Sequence, residues 1–250
     1  MLGVLGRRGW LDGLSTDDLA DSEKQQQKSS QQKKSRRDVR LLEIGAINTQ
    51  LLDAAARTRV ERVTAIDDNK LDDEEKQNTI NKVERVHRLH VKAIDLRSTN
   101  PRIEQRDFFE LPLSEQPYDV LVNSMVINCV PSAPDRGRML ALLYHQLRPG
   151  GLCFLTLPRL CLNQSRYITM DLFKEMLTDG VGFELVRDRE SPKVAFFVLK
   201  RPVEDIGADK PRSRRLNAKF TKKPIINKAK KYRNEFGVVL DEDEVNGKLF

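Results

Sequence analysis

The sequence predicts an α/β fold: a mostly parallel, doubly wound sheet that closes on an antiparallel C-terminal strand pair, with disordered ends. Three observations carry this. Short β-rich runs alternate with helical stretches from residue 40 onward; the first run, VRLLEIG, stops on Gly45; and the last two runs are separated only by the polar link RESPK. Alternation of strands with helices indicates parallel pairing. A link as short as RESPK leaves room only for an antiparallel hairpin.

Taken in order, residues 1–38 form a polar N-terminal segment. Its tract DSEKQQQKSSQQKKSRR has no apolar periodicity and cannot bury enough surface to order itself. Strands are expected at 40–44, 91–94, 103–106, 119–123, 151–157, 184–188 and 194–199. A helix is expected over 135–147, with Met139, Leu142, Leu143 and Leu147 on one side, and another over 169–177, with Leu172, Phe173, Met176 and Leu177 on one side. Between them LRPGG reads as a helix end followed by a Pro-Gly-Gly turn that reverses the chain into a buried strand. Residues 69–88 are dominated by charge and read as a polar surface insertion; the resemblance given below extends the inserted segment to 54–88. The domain is therefore assigned to 39–201, with a basic tail at 202–250.

Charge divides along the same boundaries. The chain of 250 residues has a formal net charge of +7, yet its centre is nearly neutral; residues 210–233, KPRSRRLNAKFTKKPIINKAKKYR, carry 11 basic side chains and no acid. Such density attracts polyphosphate. The expectation is a sequence-blind RNA anchor, with Phe220 and Tyr232 as possible stacking rings; a solvated end or a nuclear address is the other reading. Three cysteines, Cys129, Cys153 and Cys161, form no CxxC pair and sit in or beside apolar segments, where they behave as small hydrophobes. No run is long and apolar enough to span a bilayer, and the first residues lack the order of a signal peptide, so no membrane is expected. His87 and His90 have the i, i+3 spacing of a metal pair, but no third ligand type lies nearby, and no metal is expected.

Strand, glycine, loop, helix is the arrangement that receives a nucleotide-like cofactor, because a backbone without Cβ lets the ligand approach. Here the loop is G-A-I-N-T, not GxGxxG, so a pyrophosphate would lack its cradle. A phosphate-free cofactor such as S-adenosylmethionine suits a single glycine preceded by an acid, Glu43. A second acid is needed for the ribose, and two stretches compete: RVTAIDDN delivers Asp67, VKAIDL delivers Asp95. Gly45 to Asp67 is near the usual spacing of about twenty residues. Asp95, however, is followed within about twelve residues by Asp107 and Phe108, a gap that holds a turn and a short strand but not a helix, and the resemblance described next implies that Asp107 meets the adenine amine and Phe108 packs on its ring.

The series LLEIGA, AIDL-x-S-x-x-P-x-I-x-x-x-DFF, YDVLVNSMVINCVPSAPDRGRML, LRPGGLCFLTLPRLCLNQSRYIT, GFELV and KVAFFVLKR resembles the fungal 25S ribosomal RNA adenine-N1 methyltransferase family. The tail segment KKYRNEFGVVL resembles that family's closing segment. Its two distinctive stretches are N-x-V-P-x-x-x-x-RG-x-ML and LC-L-x-x-SRY-x-T. The resemblance implies a Rossmann-like class I methyltransferase sheet and S-adenosylmethionine as cofactor. Gly45, Asp95, Asp107 and Phe108 are then the cofactor-binding residues, with Asp95 in place of Asp67. The implied substrate is large-subunit ribosomal RNA or its precursor particle, and the implied location the nucleus and nucleolus. Animal relatives are regarded as S-adenosylmethionine sensors acting through a protein partner, which is the alternative. The implied reaction needs no general base, because the N1 lone pair of adenine is available at neutral pH, so no catalytic His or Cys is expected. Asn123, Ser124 and Asn128 are placed to meet the base edge, and Arg136, Arg138, Arg159 and Arg166 to meet phosphates.

Overall fold

The computed structural model describes residues 38–57, 89–203, 215–229 and 234–250. Asp67, His87, Tyr232 and the tract at 21–37 lie outside the described residues, as does most of the 54–88 insertion.

Seven strands form one sheet: β1 (Val39–Ile44), β2 (Leu89–Asp95), β3 (Glu104–Gln105), β4 (Tyr118–Ser124), β5 (Leu147–Pro158), β6 (Glu184–Glu190) and β7 (Val194–Lys200). Their order is β3-β2-β1-β4-β5-β7-β6. The first five pair in parallel, and β7 pairs antiparallel with both β5 and β6. The expected strands are all present. The third shrinks to two residues because Ile103 turns inward to a small cluster with Ala46 and Ala93.

Alternation along the strands fills both faces. On β1, Leu41 packs with Val120, Val122 and Leu51 of helix α1 (Gln50–Arg57), while Leu42 and Ile44 point the other way, into the main core with Leu121 and Met139. Helix α2 (Ala133–Gln146) lies on that second face; Ser132 caps it by accepting the Asp135 N–H at 3.1 Å, and Pro134 occupies its first turn. It is buried nearly all round, including Arg136, Gly137 and Tyr144, which a helix resting on a sheet by one face would expose. Something covers its outer side.

That cover is the C-terminal segment, and it corrects the expectation of a free basic tail. Leu216, Phe220, Phe236, Val238, Leu240, Val245 and Leu249 are all buried in the main core. Phe220, expected to stack on RNA, is 2% exposed. The LRPGG stretch also differs from expectation. β5 begins at Leu147 itself, and Gly150 (φ 76°) lies within the strand, its N–H donating to the Arg201 carbonyl at 2.7 Å. The pairing with β4 shifts register between Tyr118 and Val120, so the glycines make an irregularity and not a reversal. The remaining helices are short: α3 (Leu160–Asn163), α4 (Met170–Glu175), which continues as a π turn ended by Gly182 (φ 98°), and α5 (Glu242–Val245).

Candidate functional site

In an open α/β sheet a ligand binds outside the carboxyl ends of the strands where the order reverses. Here that point lies between β1 and β4, and Gly45 and Ser124 lie at its rim. Gly45 has φ 70°, and a Cβ there would overlap the Cγ2 methyl of Val126, so the position tolerates only glycine. Its N–H and that of Ala46 both donate to the Ile94 carbonyl, at 2.9 and 3.1 Å, which ties the loop to the end of β2.

Asp95 is the last residue of that strand, half-buried, with Oδ1 accepting the Arg97 N–H at 2.7 Å. Asp107 stands next to it across the sheet edge: the Arg106 N–H donates to the Asp95 carbonyl at 2.9 Å, and Asp107 Oδ1 accepts the Phe109 N–H at 2.9 Å. Each carboxylate thus uses one oxygen on its own turn and keeps the other. Phe108 goes elsewhere. At 4% exposure it belongs to the main core, leaving at most an edge of its ring for an adenine.

The electrostatics of the switch point are set by burial. Burial alone pushes the Glu43 carboxyl up to about 7, and its Oε2 is buried without a hydrogen-bond partner. Asn123 Oδ1, in a fully buried side chain at the end of β4, has none either, and its amide nitrogen reaches only the Met139 sulfur at 3.4 Å. Asn128 Oδ1 is the third. Among the described residues these are the buried side-chain oxygens left unpartnered, and all three lie at the carboxyl ends of β1 and β4 or in the loop after β4. Buried acceptors are ordinarily satisfied, so Glu43, beside the Gly45 loop, and Asn128, which lines a surface groove, are the two of the three positioned for donors that a ligand brings, while Asn123 is sealed beneath α2.

Of the three base-edge candidates, Asn123 is sealed inside the protein and Ser124 Oγ is engaged with Thr156 Oγ1 at 3.0 Å; Asn128 alone reaches a surface groove. Between them, Met125 is a non-glycine residue at φ 63°. The arginines expected to meet phosphate are mostly committed. Arg136 donates to the carbonyls of Val130, Gly237 and Pro131 at 2.9, 2.8 and 3.2 Å; Arg138 donates to the Leu249 carbonyl at 3.1 Å; Arg159 pairs with Glu190 at 2.6 Å. Burial raises the Cys153 thiol to about 12 and moves the half-buried Cys161 the same way, so both stay protonated. Among the described residues no group of three or more His, Cys, Asp or Glu is placed to hold a metal ion, and no helix is long and apolar enough to cross a membrane.

A seven-stranded sheet of this order, with β7 its one antiparallel strand and a single-glycine loop at the switch point, defines a domain of the Rossmann-like methyltransferase class. The chain belongs to the family described as 25S rRNA (adenine(2142)-N(1))-methyltransferase, Bmt2, which its residues 76–238 match. The match begins beyond Gly45, inside the segment read as an insertion, and runs well into the C-terminal segment. The 25S rRNA (adenine(2142)-N(1))-methyltransferase of Saccharomyces cerevisiae is 31% identical over 117 residues, 46% of this chain and 34% of that protein; the chain therefore matches about a third of its relative's length. An S-adenosylmethionine dependent methyltransferase from Mesorhizobium loti superposes with a TM-score of 0.45 at 12% identity, covering 66% of this chain and 92% of that one. The N-methyltransferase NodS from Bradyrhizobium japonicum WM9, in complex with S-adenosyl-l-homocysteine, superposes with a TM-score of 0.38 at 13% identity, covering 66% and 79%.

Proposed function

We propose that this chain is an S-adenosylmethionine-dependent methyltransferase that modifies N1 of an adenine in large-subunit ribosomal RNA. The observation that carries the reading is Glu43, a buried carboxyl without a partner, two residues before a glycine whose Cβ would fill the approach, with Asp95 and Asp107 at the neighbouring strand ends. A cationic, donor-rich small molecule fits that set, with Glu43 beside its ammonium group, Asp95 at the ribose hydroxyls and Asp107 at the adenine amine. When bound, S-adenosylmethionine supplies an electrophilic methyl group on a sulfonium.

The residues of this chain then have to position the acceptor. N1 of adenine carries a lone pair in the ring plane at neutral pH, so no residue has to remove a proton before attack. Orientation supplies most of the acceleration, and the loop after β4 is the element that faces the base. Because Watson–Crick pairing occupies N1, the target adenine enters unpaired or flipped out. Family membership and the basic C-terminal segment support ribosomal RNA as the substrate and the nucleolus, during ribosome assembly, as the place of reaction.

Calorimetry with S-adenosylhomocysteine, followed by methylation of a large-subunit rRNA fragment, tests the proposal. Saturable cofactor binding and N1-methyladenosine in the product support it. A folded protein that binds no cofactor overturns it.

A further inference from the structure

The two stretches that set this family apart in sequence, N-x-V-P-x-x-x-x-R-G and S-R-Y, are both spent on holding the C-terminal segment. Arg136 Nη1 donates to the Gly237 carbonyl at 2.8 Å, and its guanidinium lies 4.6 Å from the centre of the Phe236 ring. Gly137 is glycine because the Val239 carbonyl passes directly over its Cα. Ser165 Oγ donates to the Phe236 carbonyl, the Arg166 carbonyl accepts from Ile226 and Asn227 at 2.8 and 3.1 Å, and the Arg166 N–H donates to Asn234 at 2.9 Å. Residues 215–229 and 234–249 are thus a built-in strap.

The strap walls a groove of about 570 Å³, within the range of about 300–1,000 Å³ typical of small-ligand sites. Asn128, Arg136 and Cys161 line the domain side; Lys223, Glu235 and Phe236 line the strap side. The groove adjoins the cofactor end of the sheet. Val126, whose side chain crowds the Cα of Gly45, lies two residues before Asn128 on the same loop. Arg136 is committed to carbonyls. Lys223 is not: its Nζ rests 3.9 Å from the centre of the Tyr167 ring, and it has no carboxylate partner among the described residues. Residues 215–229 carry Arg215, Lys219, Lys222, Lys223 and Lys228 with no acid, and among the described residues Lys219 is the one of these lysines paired with a carboxylate, that of Glu175 at 2.5 Å.

We propose that the strap is the RNA-facing wall of the substrate site. The groove takes a nucleotide of the unpaired strand, with Lys223 at its phosphate and Asn128 Oδ1 accepting from the exocyclic amine of its base. This rests on the methyltransferase reading and goes beyond it by assigning the surface and the contacts. The groove is lined by Lys223, a cation without a carboxylate partner among the described residues, and by Asn128, whose buried Oδ1 is unpartnered; the phosphate and the base amine of a nucleotide are the complements of these two.

The test uses the full chain and Lys223→Gln, with Lys223→Arg as the conservative variant. Affinity for a fluorescein-labelled RNA with an unpaired adenine is measured across a salt series, beside KM, kcat, cofactor affinity and melting temperature. For Lys223→Gln we expect RNA binding about fivefold weaker, the scale of one charge contact, and a log–log salt slope shallower by about 0.7, the share of one single-strand phosphate. KM should rise with kcat near wild type, cofactor affinity and melting temperature should hold, and Lys223→Arg should restore the slope. A Lys223→Gln protein with wild-type slope and KM overturns the inference, leaving the strap as a brace. So does parallel loss of cofactor binding and melting temperature, which marks Lys223 as a packing residue. RNA displaced more readily by polyglutamate than by unlabelled RNA overturns it in favour of an acidic protein partner. Wild-type protein that binds no cofactor is a different failure, that of the methyltransferase reading itself.

Discussion

Replacing Gly137 by alanine has a sign that the strap decides. In a helix interior the change ordinarily stabilises, because alanine is favoured over glycine by about 0.8–1 kcal/mol. In α2 the added Cβ would overlap the Val239 carbonyl oxygen and stand 2.7 Å from the Val239 carbonyl carbon and 3.2 Å from the Leu240 Cα. All three are backbone atoms, so no side chain can swing away. The strap must lift, stretching the Val239 N–H bond to the Ala133 carbonyl (3.0 Å) and unseating Val238 and Leu240 from the core. Overpacking of this kind costs about 1–3 kcal/mol. With the loosened strap contacts offsetting the helix gain, the net destabilisation is about 1–3 kcal/mol. For a domain of this size that lowers the melting temperature by roughly 2–12 °C. Thermal denaturation followed by circular dichroism reads it directly. A melting temperature that rises, as for a glycine with nothing above it, would refute the packing of the strap on α2.

Truncation after Pro202 should not leave an intact domain: it strips Phe220, Phe236, Val238, Leu240, Val245 and Leu249 from the core, at about 1.5–3 kcal/mol each. That sum, about 9–18 kcal/mol, is as large as an ordinary total stability of about 5–15 kcal/mol, so loss of the cooperative melt is expected, and a truncated protein with a sharp wild-type transition would count against the fold. Glu43, raised from 4.5 to about 7 in the folded, cofactor-free protein, binds its proton more tightly there than in the unfolded chain. Its contribution to stability is therefore present below pH 4.5 and is lost as pH rises through about 7. A cationic cofactor favours the ionised form, so the melting-temperature gain with S-adenosylmethionine should grow between pH 6 and 8, and Glu43→Gln should flatten that trend in a thermal-shift series. Asp95→Ala should weaken cofactor binding in calorimetry by about 1.5–3 kcal/mol, the scale of a hydrogen bond to a charged group; wild-type affinity would remove Asp95 from the site. Gly45→Arg should abolish cofactor binding while the circular dichroism spectrum holds, and a variant that still binds would displace the site from this loop.

The sheet was legible because each strand is a compact β-rich run bounded by turn residues; the run read at 119–123 is Tyr118–Ser124 in the structure, and 194–199 is Val194–Lys200. The strand that ends on Asp95 was legible as the run VKAID. The strap was not. Its buried residues are mostly single apolar side chains among charged and polar ones, basic up to residue 233 and acidic around Val245, with no period of two or 3.6, and of them only those in FGVVL form a run. Composition registered the charge and missed Phe220. Arg136 shows the converse: a lone arginine at a helix start reads as a phosphate ligand, and only the tertiary fold brings the three carbonyls that consume it. The signal that could have found the strap was present in the two distinctive stretches, since an Arg-Gly pair early in a helix suits close passage of another backbone.

The most direct test of the central claim is mass spectrometry of nucleosides from large-subunit rRNA of cells lacking this protein, compared with cells in which it is restored. The account predicts that N1-methyladenosine at one site disappears and returns with the wild-type chain but not with Gly45→Arg. Unchanged N1-methyladenosine in cells lacking the protein would contradict it.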